Sequence, residues 1–132
     1  MKTELLDKLL AAGFSMRIRD DRYSKGLWVC IAQHGRDLED VEDASDAGDL
    51  DMMPATDYLF SAEWLPIVLG NNLLDGLSKL EQRLATLPSE EMTLGSTWSN
   101  AVCEALEHLR QISNASKVNY LYLFPEWPYQ HE

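Results

Sequence analysis

The sequence predicts one α+β domain, and three patterns carry that prediction. Leu73, Leu77, Leu80, Leu84 and Leu87 step by four, three, four and three, and Trp98, Val102, Ala105, Leu109 and Ile112 repeat those steps. Each series puts one apolar stripe on one face of a helix. Phe14, Met16 and Ile18 alternate with Ser15, Arg17 and Arg19, while Leu27 to Ala32 is apolar throughout. The first pattern is a strand with one wet face and the second a strand covered on both. The chain has 132 residues, 45% of them hydrophobic, the size and composition of one folded domain.

In chain order, Thr3 is the expected N-cap of a helix over Glu4 to Ala12. Leu5, Leu6, Leu9 and Leu10 form its stripe, and Gly13 supplies the left-handed residue that stops it. The two strands then make a β-hairpin across a polar loop. Its wet edge holds the chain's one basic concentration, Arg17, Arg19, Arg22 and Lys25, read either as a solvated face or as a counterweight to the acidic segment that follows. Asp37 to about Ala44 is a short helix gripping the body through Leu38 and Val41, and Asp46 to Asp51, with Gly48, is an exposed loop. Trp64 to Leu69 is a third strand, placed at an edge or a bulge by Pro66; the competing reading is a short helix capped by Ser61.

The two leucine-type helices are expected to form an antiparallel helical hairpin, capped by Asn71 or Asn72 and by Ser96 or Thr97, with Pro88 and Gly95 between them. Gly76, inside the first of them, marks close approach of another element. Val118 to Phe124 is a C-terminal strand, and Pro125 ends it. The sheet is expected to carry its helices on one side.

Charge is distributed unevenly. Between Arg36 and Lys79 lie forty-two residues with eleven acids and no Lys or Arg; the flanks carry eleven of each sign, so the whole formal charge of −11 resides in this central segment. The absence of a basic cluster argues against direct binding of nucleic acid or of an anionic membrane surface. The N-terminus lacks the apolar core of a secretory signal, and no apolar run approaches the ~20 residues of a membrane span. Cys30 and Cys103 read as reduced packing residues, and the expected location is the cytoplasm.

Catalytic chemistry leaves no recognisable trace. No histidine sits in a nucleophile–base pattern, and Glu104 with His108 is at most half of a metal site. Asp46, Gly48, Asp49 and Asp51 miss the register of a calcium loop. No catalytic residue, metal or cofactor is expected. The functional expectation is a non-enzymatic interaction protein whose acidic face binds a basic protein surface, such as that of a nucleic-acid-binding complex, in the manner of phage or mobile-element inhibitors of restriction and CRISPR machinery. A carboxylate array can occupy a site built for phosphates because Lys and Arg read charge and spacing. The expected partner-binding residues are Asp37, Glu39, Asp40, Glu42, Asp43, Asp46, Asp49 and Asp51, with Trp127 and Tyr129 on a Pro-stiffened tail that covers the domain's own sheet or docks on a partner or a second copy. The alternatives are a small cytosolic enzyme with a carboxylate and aromatic pocket, and an immunity protein or antitoxin.

Overall fold

Leu6 and Leu9, one turn apart on the first leucine-rich segment, are both buried and seat helix α1 (Glu4–Ala11) on the body. In the computed structural model, which describes residues 2–20, 26–47 and 60–114, side chains are described to residue 43 in the second stretch and to 107 in the third. Gly13, at φ +108°, ends α1 as expected. Thr3 stands at the N-cap but does not cap: its hydroxyl donates to Asp7, and the first helical N–H groups find another acceptor. Glu81, far along the chain, accepts from Leu5 N at 2.8 Å and from Leu6 N at 3.0 Å.

Strands β1 (Ser15–Asp20) and β2 (Leu27–Ala32) pair antiparallel, from Ser15↔Ala32 to Asp20↔Leu27. Arg22 and Lys25 lie in the connecting loop, outside the described residues. The third strand forms, three residues later than its expected start: β3 (Ile67–Gly70) pairs antiparallel with β2, giving the order β1-β2-β3. Pro66 explains the shift and the edge position. It has no N–H for a ladder bond, although its carbonyl accepts from Ile31 N at 3.1 Å. Trp64 and Leu65 turn into the core before the strand begins. Residues 28 to 32 of the central strand are buried, as its unbroken apolar run requires.

Helix α2 (Gly35–Ala47) is longer than the expected 37–44 and takes in Asp46, which the sequence placed in a loop. Helix α3 (Leu73–Leu84) is capped by Asn72, which accepts from Asp75 N at 2.9 Å, while Asp75 accepts from Asn71 N at 2.8 Å. Leu80 and Leu84 are buried, but Leu73, on the expected stripe, is half exposed in the first turn. A 3₁₀ turn, Ser89–Glu91, leads to helix α4 (Thr97–Asn114), where Ser96 caps by accepting from Ser99 N at 3.0 Å.

Two expectations about packing change. The helices cover both faces of the sheet, not one. Cross-strand partners share a face, so Arg17, Arg19, Trp28 and Cys30 point one way and Leu27 and Val29 the other. Glu42 of α2 reaches Arg17 and Arg19 on the first face; Gly76 of α3 lies against Val29 and Leu27 on the second. Accordingly α3 and α4 follow one another but do not form a mutually packed hairpin. α4 packs on α2, and α3 packs on β2, β3 and α1. A short sheet apolar on both sides needs a helix on each, and the connection from 85 to 96 is long enough to cross from one to the other. The predicted strand over 118–124 and the tail lie outside the described residues. Among the described residues no helix is long and apolar enough to cross a membrane.

Candidate interaction surface

α2 carries five of the expected contact residues within its described side chains, and the helical period sorts them. Leu38 and Val41 are fully buried, and Asp37 and Asp40, flanking them on the same arc, are buried too, at 3% and 8% exposure. Glu39 and Asp43, one turn apart, face solvent with Arg36. Glu42 lies between the two arcs and bridges Arg17 and, at 3.2 Å, Arg19. The basic edge of the hairpin therefore does offset part of the acidic charge. Asp46 is in the helix with its side chain undescribed, and Asp49, Asp51, Trp127 and Tyr129 lie outside the described residues.

The Arg17–Glu42–Arg19 bridge gives a first test. Glu42→Gln is expected to lower stability by about 1 kcal/mol at low salt, because two guanidinium groups lose their shared carboxylate at a half-exposed site. Chemical denaturation in roughly 1 M salt should shrink that difference; a loss independent of salt would mean Glu42 acts by packing alone.

Asp37 stands at the base of α2 in a buried polar group that composition did not signal. The Cys103 thiol of α4 donates to its carboxylate, and its Oδ2 has no hydrogen-bond partner. Burial first, then the bond to Asp37, push the Cys103 thiol up to about 12, against an opposing contribution from the Gln33 amide. Cys30 is pushed higher still by burial, with the Asp37 charge adding to it. Both cysteines are free and both thiols stay protonated at neutral pH, which deprives them of nucleophilic character.

Gln33, just past β2, joins this group to α4. Its amide nitrogen donates to Asn100 Oδ1 at 2.9 Å and Cys103 Sγ at 3.2 Å; its oxygen accepts from Gly95 N at 2.8 Å and Ser99 Oγ at 3.0 Å. All four hydrogen-bonding positions of the amide are used, so Gln33 fixes the start of α4 to the end of the sheet. Glu91, buried, accepts from Trp98 N at 2.8 Å, and the Trp98 indole donates to Trp64 O at 2.7 Å.

Because α4 packs beside α2, the outward stripes of the two helices make one layer. Its exposed charges with described side chains are Glu39, Asp43, Glu104 and Glu107, against Arg36. Glu104 and Glu107 are contributions that a reading confined to the base-free segment passes over; a helical stripe of Asn100, Glu104 and Glu107 was their signal.

Open grooves lie elsewhere among the described residues. One, of about 460 Å³, is lined by Phe60, Glu63, Leu69, Lys79 and Arg83 among others; the second, of about 490 Å³, runs along α1 and α3 past Lys2, Glu4 and Glu81. In the first, Lys79 and Arg83 are engaged with the β3 carbonyls of Leu69 and Ile67, and in the second Glu81 is engaged with α1. Among the described residues no group of three or more His, Cys, Asp or Glu side chains can hold a metal ion. Compared with known proteins, the chain matches no family model, no curated protein and no solved structure.

Proposed function

We propose that the chain is a non-enzymatic interaction protein that binds a basic surface on a protein partner through the layer formed by α2 and α4. The observation that supports this best is the charge of that layer, where Glu39, Asp43, Glu104 and Glu107 face solvent beside Arg36, in a chain whose net charge is −11. Asp37 and Asp40 are part of the helix's buried arc and serve its seating. Glu42 serves the bridge to β1. Among the described residues the binding role falls to carboxylates on helical turns, which a partner's Lys and Arg side chains can meet without first ordering a loop. In the finer form of this reading, the partner's basic site is one that ordinarily holds phosphates, and the carboxylates occupy it.

Converting Glu39, Glu104 and Glu107 to Gln and Asp43 to Asn tests the layer. With a basic partner recovered by affinity capture at low salt, association of this variant is expected to be at least roughly tenfold slower, and the difference should narrow as salt rises. Stability should be unchanged or slightly higher, since repulsion falls. Equal association rates for the two proteins would remove the layer as the binding face. Competition by duplex DNA or RNA for the same partner tests the finer form; failure to compete would leave a basic surface with no phosphate-binding role.

A further inference from the structure

Asp37 goes under with the arc that seats α2, but its carboxylate is met on one oxygen only. At 3% exposure it receives the Cys103 thiol of α4, while Oδ2 is buried with no hydrogen-bond partner. The groups packed around it do not supply the second bond. The Cys30 thiol of β2 is turned to Ile31 O at 3.9 Å, and the Gln33 amide gives its hydrogens to Asn100 and Cys103. Among the described residues no ion pair reaches Asp37 either: Arg17 and Arg19 bridge to Glu42, and Arg36 faces solvent. A buried carboxylate left half met costs the folded state more than a neutral side chain of its size would. The rest of α2 grips narrowly. Leu38 and Val41 are its buried apolar side chains among those described, and Asp40 is a second buried acid. No basic residue in the last turn answers the negative end of the helix dipole. Weakly held elements of this kind open locally while the rest of a fold stays closed.

We propose that the seam between α2 and α4 is an opening point built into the fold: α2 lifts from α4 while the sheet stays intact, and Asp37 is the group that biases it to open. Its purpose rests on the binding role argued above and regulates that same surface. Closed, the layer presents Glu39 and Asp43 beside Glu104 and Glu107. Open, it adds Asp37, and the acids of the two helices are no longer held at one spacing. A basic partner that pairs with Asp37 as well therefore binds the open form more tightly and shifts the population toward it. Pairing gains most for a charge that has no counterion when buried.

Native-state amide hydrogen exchange of the full chain tests the opening without any partner. The α2 amides of Glu39 to Asp43 should exchange at least roughly tenfold faster than the amide of Ile31, which is bonded to Pro66 O in the central layer. Asp37→Asn removes the charge at constant size, and Asp37→Val removes it without bringing a new donor. Exchange of the α2 amides should slow by roughly tenfold in at least one of the two, with a higher midpoint of chemical denaturation. Lower stability in both variants would show that the carboxylate holds the seam shut, as it would if a buried water met Oδ2, and would overturn the proposal. So would α2 amides that exchange no faster than Ile31. A blocked oligolysine peptide then probes the link to binding. At saturation it should speed α2 exchange in the original chain and do so less in the variants. Binding that leaves α2 exchange unchanged or slower would mean the closed layer is the binding form, and would overturn the regulatory role. No binding of the peptide at all would count against the binding role alone, since the exchange of the free chain is measured separately.

Discussion

Arg83→Met is expected to destabilise the fold by about 3–5 kcal/mol, as much as deleting a core leucine. Arg83 leaves α3 and donates to four backbone carbonyls, Ala62 at 3.1 Å, Leu65 and Ile67 at 2.9 Å, and Phe60. These carbonyls line the entry to β3 and its first residue, and of them Ala62 O also accepts from Leu65 N at 3.0 Å. Burial pulls the guanidinium down from its ordinary value and nearby Glu63 opposes that, yet arginine stays charged at neutral pH. Met fills the space of the aliphatic stem and takes the guanidinium from all four carbonyls, at about 1–3 kcal/mol for each that has no other donor and that water does not reach. Ala62 O keeps its bond from Leu65 N, so the sum falls short of four full penalties. Arg83→Lys should recover little, because an ammonium cannot span a fork of acceptors. Urea denaturation decides it: a lysine variant as stable as the original would mean charge, and not the fork, is what α3 supplies.

Gly70→Ala is expected to cost more than about 3 kcal/mol or to prevent folding. A Cβ at Gly70 would lie 2.5 Å from Gly76 N and 2.6 Å from Gly76 Cα, both backbone atoms of α3 that no rotamer change can move. Gly76→Ala is a milder change. Its Cβ meets side-chain atoms instead of backbone, Val29 Cγ2 at 2.8 Å and Leu27 Cδ1 at 2.9 Å; Leu27 can turn aside but the buried, β-branched Val29 must shift, a cost set against up to about 1 kcal/mol of regained helix propensity. Gly35→Ala meets nothing within 4 Å and should be neutral or slightly stabilising. The order of the three in thermal or chemical denaturation is the test; similar losses for Gly70 and Gly76 would show that α3 can lift away from the strand.

The elements were largely legible because each rests on a local pattern. The step of four and three placed α3 and α4, the alternation at Phe14 to Ile18 placed β1, and Gly76 announced the close approach that Val29 and Leu27 make. How those elements are shared between the two faces was not legible. An apolar stripe says that a helix packs, not against which neighbour, and the pairing of α4 with α2 depends on contacts distant in sequence. Which acids of α2 face solvent is not legible in composition for a similar reason. Composition counts Asp37 and Asp40 as surface charge, but Leu38 and Val41 cover too narrow an arc to seat a helix alone, and the flanking positions go in with them. Gln33 and Arg83 gave no warning, since nothing in a sequence marks which polar side chain will saturate its bonds with backbone it meets only after folding.

The capping of α1 by Glu81 bears on the order in which the chain assembles. Eight residues are too few for a helix to persist alone in water, and the N–H groups of Leu5 and Leu6 have their acceptor on a helix that follows some seventy-five residues later. The native cap of α1 therefore exists only once α3 is formed and placed on the sheet. Closing that long loop is an entropic cost that the cap of α1 carries with it, so α1 is expected to become native together with α3 or after it and not as an independent early helix.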